Sequence, residues 1–141
     1  MGATIIVPEE GGGSAPISPE DLKKIANYTT VTTVPTITGD INNWNPTGLA
    51  TSNLLRVDMN ANNYKISGIV RPAPIGEKQI IAISNLNQNW SLKFLHNDAL
   101  STPANRFLLR DGADKSIKPN ETAIFHYDNV LGRWMPFNRV G

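Results

Sequence analysis

Apolar and polar residues alternate over short stretches from about residue 54 onward. Leu55, Val57 and Met59 are separated by Arg56 and Asp58, and Tyr64, Ile66, Gly68 and Val70 form a second such run. A period of two puts the apolar side chains on one face, the pattern of a half-buried strand. Lys78 to Leu86 contains a continuous apolar run, Ile80-Ile81-Ala82-Ile83, bounded by the amide-rich Asn85-Leu86-Asn87-Gln88-Asn89. Trp90, Leu92 and Phe94 share a face opposite Ser91 and Lys93. Arg106 to Arg110 is a short apolar segment closed by Asp111-Gly112. Lys115 to Lys118, Thr122 to Tyr127 and Arg133 to Met135 read as further strands, divided by Pro119-Asn120 and by Asp128-Asn129-Val130-Leu131-Gly132. Short strands separated by turn signals predict an all-β domain over residues 39–141, an antiparallel β-sandwich or jelly-roll-like domain. Its expected core is Leu55, Val57, Ile66, Ile81, Ile83, Trp90, Leu92, Phe94, Phe107, Leu109, Ile117, Phe125, Tyr127 and Trp134.

Residues 1–38 follow a different pattern and read as an extended N-terminal arm. Thr4-Ile5-Ile6-Val7 is a short β-prone run ending at Pro8-Glu9-Glu10-Gly11-Gly12-Gly13-Ser14, whose glycines make a flexible linker. Ser18-Pro19-Glu20-Asp21 is a helix start: a hydroxyl at the N-cap, proline at the first helical position and acids in the first turn. The helix predicted from it is short, Pro19 to Asn27, with Leu22, Ile25 and Ala26 on one stripe, and so brief a helix needs a surface to pack on. Thr29 to Thr38 is β-branched at nearly every position, with Pro35 in its middle. That segment fits an edge strand or an extended stretch laid along a partner.

Composition supports the turn-rich reading. The 141 residues include 16 Asn, 11 Gly and 10 Pro, and only 18% are charged, against about 25% in ordinary globular domains. The formal net charge of +1 lacks the basic excess expected of a nucleic-acid binder. Without cysteine there is no disulfide framework and no Cys-ligated zinc. No apolar run reaches the ~18–20 residues of a membrane helix, and no basic-then-apolar leader opens the chain. The expectation is a soluble protein without membrane insertion. The many short strands leave edges to protect, which assembly of identical copies accomplishes; a homotrimer is expected.

Chemistry is sparse. His96, Asp98 and Ser101 fall within one loop, but a nucleophile, its base and the orienting acid normally come from separate parts of a chain, and no G-x-S-x-G surrounds Ser101. His96 and His126 are far apart and neither has a second histidine at ligand spacing. A site built from His126, Asp128 and a partner chain is the nearest thing to a metal centre. Asp111-Gly112-Ala113-Asp114 lacks the later acidic positions of a calcium loop. The triple glycine at Gly11 has no following lysine to hold a phosphate. The sequence thus predicts no catalytic residue, no metal and no cofactor.

A series of short words is then informative as a set: Asn42-Asn43-Trp44-Asn45-Pro46-Thr47-Gly48-Leu49-Ala50, Leu54-Leu55-Arg56-Val57, Ile66-Ser67-Gly68-Ile69, Ser101-Thr102-Pro103-Ala104-Asn105-Arg106-Phe107-Leu108-Leu109, Asp111-Gly112-Ala113-Asp114, Lys118-Pro119-Asn120-Glu121-Thr122, Tyr127-Asp128 and Gly132-Arg133-Trp134. In this order they resemble a small β domain of tailed-bacteriophage virion proteins, found in fibres, appendages and capsid-associated proteins. The resemblance runs from Asp40 to Phe137 and leaves the arm uncovered. It implies a non-enzymatic virion structural protein, a homotrimer located on the capsid surface or tail and made in the host cytoplasm. The leading expectation is a capsid-decorating or head-fibre protein. Its arm would dock on the major capsid protein or another virion protein through Ile5, Ile6, Val7, Leu22, Ile25, Val31 and Val34. One alternative is a short tail fibre or receptor-binding tip that contacts host surface glycans through Trp44 and Trp90; another is a free-standing carbohydrate-binding module.

Overall fold

The computed structural model describes residues 30–72 and 80–136. They form eight strands: β1 (Val31–Thr33), β2 (Leu54–Val57), β3 (Lys65–Ile66), β4 (Ile80–Asn85), β5 (Leu92–Phe94), β6 (Lys115–Ile117), β7 (Thr122–Asp128) and β8 (Arg133–Pro136). Two short 3-10 turns lie at Pro103–Asn105 and Arg110–Gly112. The strands make a five-stranded sheet in the order β1-β2-β4-β7-β8 and a three-stranded sheet in the order β3-β5-β6. The domain is all-β, as the alternation predicts.

The pairing departs from the antiparallel expectation, and both sheets are mixed. β1 with β2, β2 with β4, and β3 with β5 are parallel. β4 with β7, β7 with β8, and β5 with β6 are antiparallel. The cause is a chain that makes three passes in one sense, each crossing from the large sheet to the small one. Thr32, Leu55 and Ile83 stack in register on the large sheet, and Ile41, Ile66 and Phe94 stack on the small one. The polar stretches at residues 60–63 and 86–91 are therefore corners between sheets and not hairpin turns. After the third pass the chain reverses: β6 lies on β5, and β7 on β4. Backbone bonds from Leu108 N to Trp134 O (2.8 Å) and from Trp134 N to Arg106 O (2.9 Å) tie residues 106–108 to β8.

Inward positions of both sheets build one core. Leu55, Val57, Ile66, Ile81, Ile83, Leu92, Phe94, Phe107 and Phe125 are fully buried. Phe94 of the small sheet meets Phe125 of the large one edge-on at 5.0 Å between centroids, and Phe107 joins both at 5.4 and 4.9 Å. Tyr127 and Trp134, register partners across the β7–β8 hairpin, pack edge-to-face at 5.1 Å. The Trp134 indole N–H donates to Ile69 O at 2.9 Å and the Tyr127 hydroxyl to Ala104 O at 2.7 Å. Burial raises the Tyr127 pKa, opposed by the Arg71 and Arg133 guanidinium groups, so the phenol keeps its proton and remains a donor.

The structure adds detail to two expectations, for the arm boundary at residue 38 and for the core. Thr30 to Ile37 belong to the β domain, because β1 pairs with β2, Ile37 bridges Met59, and Val34 and Ile37 are buried in the core. Trp90, expected inside, is 37% exposed; it lies between β4 and β5, in the stretch that crosses from one sheet to the other.

Gly68 marks the closest approach of two chain segments. A Cβ there would lie 2.4 Å from Asn105 O and 2.7 Å from Ser101 Oγ, in a region fixed by the Ile69 N to Asn105 O bond. The nearest obstacle is backbone, which cannot swing aside. Gly68→Ala is expected to lower the free energy of unfolding by about 1–3 kcal/mol, measured by urea denaturation.

Candidate interaction surfaces

Side chains that suggested chemistry are occupied in hydrogen bonds to backbone N–H groups. His96 Nδ1 accepts the Leu109 N–H at 2.9 Å. Ser101 Oγ is buried, bonded to Ser67 Oγ at 2.7 Å and accepting from Asn43 N at 2.8 Å. Asp98 accepts from Leu100 N at 2.8 Å. Each member of the trio thus points to a different backbone partner. Asp128 caps its own hairpin by accepting from Val130 N and Leu131 N at 2.9 and 2.8 Å. Asp111 sits at φ 61° in the tight turn anticipated from Asp-Gly, and Asp114 accepts from His96 N at 2.7 Å. Among the described residues no three His, Asp or Glu side chains converge as metal ligands.

The same economy governs the other carboxylates. Asp40, Asp58 and Glu121 accept backbone N–H groups of Lys65, Met59 and Lys118. Arg110–Asp111, at 3.7 Å and exposed, is the ion pair found among the described residues. These acids thus serve backbone groups. Lys65 and Lys93 are register partners on the outer face of the three-stranded sheet, whereas Arg106 Nε donates to Ser101 O at 2.8 Å and Arg133 Nε is buried.

The predicted contact residues separate into three groups. Ile5, Ile6, Val7, Leu22 and Ile25 lie outside the described residues. Val34 is in the core, whereas Val31 on the edge strand β1 is 53% exposed. Trp44 is only 7% exposed and its backbone is tied to Gly68 O and Val70 N, so its ring cannot offer a stacking face without opening the core. Trp90 remains outward, beside exposed Gln88 and Asn89. Its N–H and that of Asn89 are held by Asn87 Oδ1 at 2.7 and 2.8 Å, and Ser91 N is held by Asn63 Oδ1 at 2.7 Å.

One surface went unread in the sequence. Residues 80, 82 and 84 on β4 alternate with buried neighbours, as do 124 and 126 on β7, and they point away from the core. The register places Val31, Leu54, Ala82 and Ile124 in one row, and Ile80, His126 and Met135 in the next. The available signal was the apolar residue at the same outward register position of four strands, Val31, Leu54, Ala82 and Ile124. Comparison with protein-family models, curated proteins and solved structures finds no match to this chain.

Proposed function

We propose that this chain is a non-enzymatic structural protein of a tailed-bacteriophage virion, a capsid-decorating or head-fibre protein. Its N-terminal arm docks on the major capsid protein or another virion protein, and its β domain, whose two sheets we read as the leaves of a small sandwich, projects as a homotrimer. The observation that supports this reading is where the arm joins. The segment before Thr30 enters at β1, an edge strand of the five-stranded sheet, while the Trp90 corner lies at the junction with the other sheet. An attachment element at an edge leaves the rest of the domain free to project. The reactive side chains described above, each hydrogen-bonded to a backbone N–H, fit a structural role.

The test uses the full-length chain and purified particles. Ile5→Asp together with Ile6→Asp places two charges in the apolar run of the arm, and is expected to reduce binding to particles at least tenfold while leaving the circular dichroism of the β domain unchanged. Undiminished binding overturns the attachment role. A second reading, a receptor-binding tip, is favoured by the exposed Trp90 among amides. An indole face offers apolar stacking and amides offer paired donors and acceptors, a combination suited to a sugar ring. Particle location and glycan binding by the intact chain separate the two.

A further inference from the structure

We propose that the end of the domain formed by the β7–β8 hairpin and Arg71 is a docking site for an acidic protein segment, with Arg71 and Arg133 taking a carboxylate and Val130 and Leu131 its apolar neighbours. The hairpin tip is fixed from within. Asp128 Oδ1 accepts from Val130 N and Leu131 N, and Asp128 O accepts from Gly132 N at 2.8 Å. Arg133 Nη1 donates to Gly132 O at 3.0 Å and more weakly to Leu131 O at 3.4 Å. With these backbone groups satisfied inside the turn, Val130 and Leu131 stand outward, 94% and 52% exposed. Adjacent aliphatic side chains on a turn held in this way give up little backbone freedom when a partner covers them.

The cations beside the tip give the site its sign. A Cβ at Gly132 would lie 3.8 Å from the Tyr127 hydroxyl, and the Arg71 guanidinium stands 6.0 Å from the centre of the Tyr127 ring. The backbone of Arg71 is pinned there by Asn105 Oδ1, which accepts its N–H at 2.8 Å. Both Arg71 and Arg133 act electrostatically on Tyr127, so the two guanidinium groups flank one ring. The other described arginines have partners: Arg56 donates to Thr33 Oγ1, Arg106 to Ser101 O, and Arg110 pairs with Asp111. Arg71 and Arg133 have no carboxylate partner among the described residues, and Arg133 Nε is shielded without an acceptor. Asp128 is the register partner of Arg133, but its Oδ1 is held by the turn amides. Two guanidinium groups against this one acid leave a single positive charge, which one carboxylate neutralises; the planar guanidinium fork matches carboxylate geometry. Arginine beside exposed aliphatic side chains is the composition of a protein–protein contact. A sugar would want an open aromatic face, whereas Tyr127 and Trp134 are buried, and Asp128 opposes an anionic bilayer. The arm joins at β1, the edge of the five-stranded sheet opposite β8, so this site is separate from the attachment proposed above and does not depend on it.

Nuclear magnetic resonance on the full-length chain tests this, with the peptide acetyl-Leu-Glu-Val-amide as probe. Saturating shifts are expected at the Arg133 Nε–H and at the Val130 and Leu131 amides. Replacing the glutamate of the peptide with glutamine is expected to weaken binding about fivefold, and Arg71→Gln to do the same, the loss of an exposed charge pair. Leu131→Ser is expected to weaken it as well, whereas Arg56→Gln leaves it unchanged. Arg71 and Leu131 are exposed, so both variants retain the fold, which unchanged circular dichroism confirms. Absence of a saturating shift at these signals overturns the site. Equal binding of the glutamine peptide, or equal weakening by Arg56→Gln and Arg71→Gln, overturns the carboxylate role. Glucuronate that moves the same signals as strongly as the peptide makes the ligand a carboxylated sugar, and phosphatidylglycerol vesicles that do so make it an anionic membrane; either result overturns the acidic protein segment.

Discussion

Asn85→Asp is expected to cost the domain about 4 kcal/mol or more at neutral pH. Asn85 is fully buried at the end of β4. Its amide group donates to Trp90 O at 2.8 Å and to Ile117 O at 3.2 Å, and its oxygen accepts from Asn87 N at 3.0 Å. One side chain thereby satisfies the corner leading into β5 and the end of β6. The carboxylate keeps the acceptor and loses both donors, so one buried and one part-buried carbonyl lose partners at about 1–3 kcal/mol each, and a charge is left facing them. Against a total stability of about 5–15 kcal/mol for a domain of this kind, that loss removes much of the folded population. The pH dependence carries a definite sign. Burial and the two carbonyls raise the folded-state pKa of the introduced carboxyl above its unfolded value of about 3.9. The folded protein then binds the extra proton, and the deficit grows as pH rises from about 4 to 7. Urea unfolding at pH 4.5 and pH 7 measures it; a deficit independent of pH means that the carboxyl is solvated and the site open.

Asn85 also shows why parts of this fold were hidden in the sequence. An asparagine before Leu86-Asn87-Gln88-Asn89 reads as a turn residue, yet it holds the position that Val57 takes one pass earlier. The strand stretches themselves were legible. Thr122–Asp128 alternates between buried and half-buried positions after its exposed first residue, because a period of two defines which side chains go inward. Alternation does not name a strand's neighbour, however, so parallel stacking was not legible. Val31 to Val34, Leu54 to Val57, and Ala82 to Asn85 are equivalent segments, and Asp40-Ile41, Lys65-Ile66 and Lys93-Phe94 are equivalent dipeptides. The passes differ in length, and few aligned positions repeat the same residue, which conceals the period. Trp44 was misplaced for a related reason. Between Asn43 and Asn45 it looks like a loop aromatic, but its register partner Ile69 carries it into the core. For candidate sites, the sequence could discount the His96 trio from spacing alone. It could not show the outward row of the five-stranded sheet, which exists only once Val31, Leu54, Ala82 and Ile124 are brought side by side.

Phe125→Ala is expected to lower stability by about 3–5 kcal/mol, the usual range for deleting a buried aromatic ring. The ring stands where three parts of the molecule converge. It projects from β7 of the large sheet onto Phe94 of the small sheet at 5.0 Å, and onto Phe107 of the segment that ties to β8 at 4.9 Å. Neither neighbour can collapse into the space. Phe94 is fixed by β3 and β6 on either side of β5, and Phe107 by its bridges to His96 and Trp134. A cavity that cannot relax belongs at the upper end of the range, whereas a site that collapses belongs at the lower end. Phe125→Leu, which keeps most of the volume, is expected to cost less than about 1.5 kcal/mol. Val130→Ala at the hairpin tip, where the side chain is 94% exposed, is expected within about 0.5 kcal/mol of the unaltered chain. Equilibrium unfolding of the three variants decides the point. If Phe125→Ala and Val130→Ala lose comparable stability, the two sheets are not held by the aromatic contacts between them, and their junction must depend on the backbone bonds of residues 106–108.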